Sequence, residues 1–411
     1  MALNPTHNLT ELAVVGGGIG GWAAALALAR TGAKLKVYEQ SAQVTEAGAG
    51  IGLGPNAVRL LQAWGMGQSL RDLGCAPEAL VARRTQDGQL VGTLPMGEAF
   101  VRRYGAPYLT FHRADLHAWL MQSALQHAEV QFCPAHRLVQ LQTLSQGVRL
   151  QFEHGPVTEA QALVAADGLH SVARSMVCGD APPRATGHWA YRTLLPMADL
   201  PPRWRAPQIG LWLGRRLHVV HYPVRGGQSL NLVVLLESHR TPPQAGWDVP
   251  RSQDDMQADV HTALQGSCAE LIDLLSSVSS WRTWALFDRP PLNAAAPMAQ
   301  GRVALLGDAA HPMLPYLAQG AAMAIEDGFM LARALEVESD PIQALQRYEN
   351  ARRERTARIV NGSSGNTKRF HNPVLSEPET ARAYVDREWA PDKIAERYEW
   401  IYTYDVTKAI L

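Results

Sequence analysis

Cysteine is scarce in this chain: Cys75, Cys133, Cys178 and Cys268 are the 4 among 411 residues. None belongs to a C-x-x-C pair or neighbours a histidine cluster, so no zinc site, disulfide framework or redox dithiol is expected. Net charge is lacking too. Lys plus Arg is 38 and Asp plus Glu is 38, which argues against nucleic acid or an anionic membrane as the main partner. A local basic pocket stays open. No apolar run reaches the roughly 18 residues that span a bilayer. Met1 to Glu11 lacks the cationic and apolar blocks of a signal peptide. The expectation is a cytoplasmic protein without a metal. Repeats and low-complexity tracts are absent as well.

What is present is a large apolar fraction, 46% hydrophobic against 18% charged residues. That suits a substantial core, in two domains or one domain with a large insertion. Leu12 to Val15 reads as a buried strand, Ile19 to Arg30 as a helix stopped at Gly32, and Lys34 to Tyr38 as a second strand. This is a βαβ unit. Strands are expected within 76–104, and a helix over Arg113 to Gln126. Further strands are expected at Ile209 to Leu213, Leu217 to Tyr222 and Leu230 to Leu236. Single helices are expected over Ser252 to Leu275, Gln319 to Leu335 and Gln343 to Val360. Arg352, Arg353, Arg355 and Arg358 on the last of these read as a solvated face. The aromatic tail from Glu388 to Leu411 is expected to pack back on the body.

Three motifs carry chemistry. Gly16-x-Gly18-x-x-Gly21 follows the first strand, and Glu39 ends the second. Gly16 permits a tight turn, Gly18 lets backbone approach a pyrophosphate, and Gly21 allows close helix packing. Glu39 can accept hydrogen bonds from a ribose, and disfavours a 2′-phosphate there. The second motif is Asp167-Gly168-x-x-Ser171-x-x-Arg174, which alone reads equally well as an Asp-Gly turn. The third is Gly307-Asp308-Ala309-Ala310-His311-Pro312, followed by Pro315 and Gln319-Gly320. Asp308 can bind a sugar-like chain or simply cap a turn. Gly320 at a helix start can offer N–H groups to an electron-rich ring.

In this order the three motifs resemble those of the class A flavoprotein aromatic hydroxylases, the group of the salicylate, 3-hydroxybenzoate and 6-hydroxynicotinate monooxygenases. The resemblance runs from Ala13 to about Asp405. It implies an α/β fold: a Rossmann-like βαβ FAD-binding domain with an inserted, mostly antiparallel-sheet substrate domain and C-terminal helices. The expected boundaries are 10–75, 105–180 and 290–345 for the FAD domain, 76–104 and 181–289 for the substrate domain, and 346–411 for the helical region. The resemblance assigns Gly16, Gly18, Gly21 and Glu39 to the ADP part of FAD and Asp308 to the ribityl chain. It places Asp167 near both FAD and the pyridine nucleotide, and Arg113 and the Gly48-Ala49-Gly50-Ile51 loop near the flavin. Gly52 stands where some pyridine-acid hydroxylases carry His. Pro315 stands where the 3-hydroxybenzoate type carries Gln.

On the strand around Leu217, residues His218, Val220 and Tyr222 share a face and His221 points the other way. In the resemblance His218 and Tyr222 line the substrate pocket, His218 as the base that takes a phenol proton. Read alone, both also suit a hydrogen-bonded sheet core, the less favoured alternative. Arg192 could bind a substrate carboxylate or an interdomain partner, and Tyr316 could reach the pocket or only pack. With one dinucleotide fingerprint, NADH or NADPH is expected to visit rather than occupy its own domain. The implied reaction consumes O2 and hydroxylates a small phenolic or aromatic acid through a flavin hydroperoxide. An oxidase or dehydrogenase on the same fold is the alternative. A homodimer is compatible with the family, and no membrane or nucleic-acid partner is expected.

Overall fold

In a computed structural model the described residues are 11–43, 49–179, 182–238, 240 and 251–411. The chain begins β1 (Leu12–Val15), α1 (Ile19–Ala29), β2 (Leu35–Tyr38), β3 (Gly50–Leu53), α2 (Pro55–Ala63) and α3 (Gly67–Leu73). There follow β4 (Ala79–Arg84), β5 (Leu90–Pro95), α4 (Glu98–Tyr104), β6 (Leu109–His112), α5 (Arg113–Leu125), β7 (Val130–Cys133), β8 (Leu138–Thr143), β9 (Val148–Phe152), β10 (Thr158–Ala160), β11 (Leu163–Ala165) and α6 (Val172–Cys178). The middle holds β12 (Arg184–Pro196), β13 (Gln208–Gly214), β14 (Leu217–Val224), β15 (Ser229–Glu237), α7 (Gln253–Ala263), α8 (Ala269–Ser276) and β16 (Arg282–Asp288). The last part holds β17 (Ala299–Gln300), β18 (Val303–Leu305), α9 (Gly320–Val337), α10 (Pro341–Phe370), α11 (Pro378–Glu388) and α12 (Pro391–Tyr402).

The first sheet runs β17-β18-β11-β1-β2-β7, with β18, β11, β1, β2 and β7 mutually parallel. Its strands are apolar at every position of β1, β11 and β18, as a sheet buried on both faces requires. Helix α1 is Ala-rich and buried nearly all round, so α9 packs closely on it. Gly328 of α9 makes this possible, because a Cβ there would crowd the backbone of Ala23 and Ala24.

The second sheet runs β16-β12-β15-β14-β13-β4-β5 and is antiparallel except for the β13–β4 pair. One face packs on α7 and α8 through Trp189, Trp212 and Trp281. The other packs on the Leu314–Leu317 turn and the C-terminal helices through Tyr316, Phe370 and Trp389. Together the two sheets give the α/β architecture expected from the sequence.

Several local expectations change. The segment 252–275 is two helices, broken between Ala263 and Ala269. Within 76–104 a helix, α4, follows the two strands. The 13-residue β12 fills a proline-rich stretch from which no strand was expected. Its flanking prolines sit at the ends or outside the ladder, where no N–H is needed.

The arginine group on α10 is only partly a solvated face: Arg358 is exposed and Arg353 half-buried, but the others turn inward. Arg352 is fully buried, its guanidinium donating to Asp327 Oδ1 at 2.7 Å and Glu326 Oε2 at 2.8 Å. Arg355 pairs with the same Glu326. Arg355 and Arg358 also lie over Tyr404 and Trp400, 3.6 and 3.8 Å from the ring centroids. The aromatic tail therefore docks on the arginine helix, and the two features expected separately are one contact.

Candidate active site

The glycine fingerprint forms as a turn between β1 and α1. Gly16 has φ +104°, and a Cβ there would overlap the Ala166 carbonyl. A Cβ at Gly21 would overlap the Gly16 carbonyl oxygen, so the helix presses directly on the strand end. Gly18 is different: nothing among the described residues lies within 4 Å of where its Cβ would stand. That open side, at the N-terminus of an α1 with no side-chain cap, suits a pyrophosphate. Glu39 accepts from the Gly17 N–H at 2.7 Å and the Ser41 N–H at 2.8 Å, which fixes its carboxylate beside the loop.

The other two motifs meet in space. Arg174 donates to the carbonyls of Ala309 and Ala310 at 2.9 and 2.6 Å. Ser171 caps α6 by accepting from the Arg174 N–H, and Asp167 accepts from the Val172 and Ala173 N–H groups. On the far side Asp327 accepts from the Gly307 N–H and bonds the His311 ring at 2.6 Å. Asp327 thus holds the segment at Gly307 and His311 and Arg174 holds it at Ala309 and Ala310, which fixes the backbone around Asp308. The Asp308 carboxylate is accessible, yet protein crowds around it, so it faces a cleft rather than bulk water. Burial pushes its pKa up, against the lowering charges of His311 and Arg113.

Gly320 opens α9 with no side-chain cap and no acidic residue in its first turn, and nothing among the described residues lies within 4 Å of a Cβ built there. Its N–H groups are therefore available to an electron-rich ring. Arg113 opens α5, and its backbone N–H donates to Ala49 O at 2.8 Å. Gly48 lies outside the described residues. Gly50 donates to Asn231 Oδ1 at 2.7 Å, and a Cβ at Gly50 would meet both Asn231 and Tyr222. This seats the loop on the second sheet. Gly52 has a packing reason, since a side chain there would overlap the Tyr108 hydroxyl.

The second sheet supplies the other wall. Paired residues across neighbouring strands share a face. Arg192, Val233, Val220 and Leu211 form one row, flanked by Asn231 and Tyr222 on one side and by Leu235 and His218 on the other. Four residues of strand separate His218 from Tyr222, roughly 13 Å. His221 does point to the opposite face, against Trp204. Burial pushes the Tyr222 phenol up to about 12, although Arg192 pulls it down. It is a neutral hydroxyl at working pH. Burial also lowers the Arg192 pKa, eased by Tyr222 alone among the charged and polar neighbours that act on it. Arg192 Nε is buried with no hydrogen-bond partner among the described residues. The charge of Arg192 in turn bears on Arg113. Asp308 already opposes the charge of Arg113, so Arg192 is the guanidinium that invites an anion.

His218 is 2% exposed, and its Nδ1 lies 2.7 Å from His371 Nε2. Burial holds its pKa well below 6.5, helped by His371 and His188. Tyr316 bonds His188 Nδ1 at 2.6 Å through its hydroxyl and packs on the His218 ring. Pro315 is exposed at the head of that turn. His188, His371 and Glu237 place ligand atoms within 4.8 Å of one another, a spacing a metal could use. Each already serves a hydrogen bond, to Tyr316, His218 and His371 respectively. The sequence reading missed His188, His371 and Glu237, and no local motif marks them.

Residues 9–363 match the FAD binding domain family. A 3-hydroxybenzoate 6-hydroxylase of Polaromonas naphthalenivorans is 39% identical, the match covering 96% of each chain. A 6-hydroxynicotinate 3-monooxygenase of Bordetella bronchiseptica is 35% identical, over 87% of this chain and 91% of the relative. Among solved structures, a salicylate hydroxylase substrate complex superposes with TM-score 0.78 at 27% identity, covering 97% of this chain and 96% of that one.

Proposed function

The chain belongs to the FAD-binding class A flavoprotein aromatic hydroxylases, and from that premise we propose that its substrate is a small phenolic carboxylic acid. It is a monooxygenase that consumes NAD(P)H and O2. The observation that carries the substrate class is Arg192, enclosed, with a donor left over and on the same sheet face as Tyr222 and His218. A benzoate-like ring over Val220 puts its carboxylate against Arg192. Tyr222 then donates to an oxygen at one end of the ring, and His218 meets the hydroxyl at the other.

The residues fit FAD. Gly16, Gly18, Gly21 and Glu39 would hold its ADP part, Asp308 would take the ribityl hydroxyls, and Gly320 would offer N–H groups to the flavin ring. Arg113 and Asp167 would flank it. When bound, FAD would supply the redox chemistry that links NAD(P)H and O2 to hydroxylation of the ring. The chain's own residues orient the acid, exclude water and take up the phenol proton. His218 is kept neutral by burial, so its lone pair is available to receive that proton. We assign 10–75, 105–180 and 290–345 to the cofactor domain, 76–104 and 181–289 to the substrate domain, and 346–411 to the helical region. A cytoplasmic site of action belongs to the same reading, supported by neutral charge and few cysteines. No helix of the described residues is long and apolar enough to cross a membrane.

The test is aerobic oxidation of NADH and NADPH against hydroxylated benzoates and nicotinates, with product mass read in parallel. One compound should stimulate oxidation and gain an oxygen atom. Oxidation that yields only hydrogen peroxide with every phenolic acid would sink the substrate class. Replacing His218 with Ala should slow hydroxylation at neutral pH, and an unchanged rate would remove His218 from its role as base.

A further inference from the structure

Behind His218 lies a continuous hydrogen-bonded path to the surface. His218 Nδ1 meets His371 Nε2 at 2.7 Å, and His371 Nδ1 meets Glu237 Oε1 at 2.9 Å. His371, at the C-terminus of α10, is 4% exposed, whereas the Glu237 side chain is 28% exposed and pairs with Arg216 at the surface. The direction of these bonds follows from the acceptor at their end. Its hydrogen bond to His371 holds the Glu237 carboxyl down at about 2 despite burial, so it is a carboxylate and can only accept. His371 must then carry its proton on Nδ1 and, when neutral, accept at Nε2. His218 must donate from Nδ1, which leaves Nε2 as a lone pair.

We propose that His218, His371 and Glu237 form a proton relay between the substrate pocket and water. The relay rests on the hydroxylase reading for its substrate, not for its connectivity. The substrate O–H bond breaks and an N–H bond forms at His218 Nε2. The Nδ1 proton of His218 passes to His371 Nε2, and the Nδ1 proton of His371 passes to Glu237. From there it leaves to water, and a phenolate stays behind. No electrons change hands. The reverse transfer returns a proton when the hydroxylated ring regains its phenol. The C-terminal end of α10, with its partial negative charge, favours the transient positive charge on His371.

Every element packed on the pair contributes a group that bears on its titration. They are His188 on β12, with Asp288 of β16 acting on it, Tyr316 of the turn before α9, Glu237 on β15, and Arg216 just before β14. The same helix adds Lys368 and Arg369 in its last turn.

The experiment compares the full-length, FAD-loaded enzyme with E237Q by nitrogen-edited NMR of histidine ring protons, without substrate. A side chain buried like His218 exchanges its ring proton through the relay or only by local opening, so E237Q should slow exchange by about tenfold or more. E237D, which keeps a carboxylate, should restore most of the rate. FAD content should stay at the wild-type value, and any fall in melting temperature in E237Q should be recovered in E237D. The pH profile of turnover with any hydroxylated acid should shift in E237Q and return in E237D. Exchange at His218 unchanged in E237Q would overturn the relay. So would a stoichiometric divalent metal in the purified enzyme, since it would occupy the same lone pairs. If no phenolic acid gains oxygen, the substrate reading fails while the exchange result still decides the relay.

Discussion

The Arg192 guanidinium lies over the Trp284 ring, 5.2 Å from its centroid. The indole belongs to β16, the strand beside β12, so it covers one face of the cation and leaves the donor edge free. This is how the charge is kept where no carboxylate among the described residues acts on it. Arg192→Met should raise the KM for a phenolic acid. A charge-assisted hydrogen bond of about 2 kcal/mol corresponds to roughly thirtyfold. Lys should rescue only part of this, because it lacks the planar fork. Steady-state kinetics with FAD content as control checks it, and an unchanged KM would move the carboxylate elsewhere.

The three fingerprint glycines should fail differently. Gly16→Ala places a side chain at φ +104° against the Ala166 carbonyl, so it should lower both the melting temperature and FAD loading. Gly21→Ala collides with the Gly16 carbonyl and should do the same. Gly18→Ala meets no atom of the described residues. It should leave the apoprotein's melting temperature unchanged and weaken FAD by about tenfold or more, read by flavin fluorescence. An FAD affinity unaltered in Gly18→Ala would place the pyrophosphate elsewhere.

The same contrast explains what the sequence discloses. Gly16, Gly18 and Gly21 act within a few residues of one another, so their spacing reveals the turn and the open side. The clamp on Asp308 does not read out this way. Arg174 and Asp327 come from different helices, and only the fold brings them to one loop. Arg352 looked like a surface charge because its partners sit on α9, 25 and 26 positions earlier. The histidine path needed His371, 153 positions beyond His218. Strand periodicity placed His218, Tyr222 and His221 on the right faces, but periodicity says nothing about what covers a face.

The docked tail offers a measurable energy. Arg355 lies over Tyr404 at 3.6 Å while also pairing with buried Glu326. Tyr404→Ala should cost about 1–2 kcal/mol, from a cation–π contact and lost burial. Arg355→Ala should cost more, because Glu326 keeps a buried charge with one partner fewer. Urea unfolding of the two variants orders them, and the reverse order would mean that Glu326 is satisfied by Arg352 and Asn56 alone.

Acid should destabilise the protein in two stages. His188 and His221 are lowered to about 4 by burial, with His371 and Arg83 adding to the respective shifts. In the unfolded chain each titrates near 6.5, so the folded state binds fewer protons. Their contribution is fully present above that value and is lost as pH falls through the window toward about 4. Each removes on the order of 3 kcal/mol by pH 4. Asp327 belongs to the second stage. Burial would raise it, but His311 and Arg352 hold it at about 2. Its stabilisation is present above the unfolded carboxyl value near 3.8 and is lost only below that. Chemical denaturation at stepped pH should therefore show stability falling from about pH 6.5, before Asp327 protonates. His221→Gln should reduce the first stage, with the His188 share remaining, and leave the second, because His221 packs against Trp204 and Gly210 while Asp327 bonds Gly307, His311 and Arg352. A stability curve flat to pH 4 would mean that the buried imidazoles take up protons inside the fold, and the neutral state assigned to His218 would fall with them.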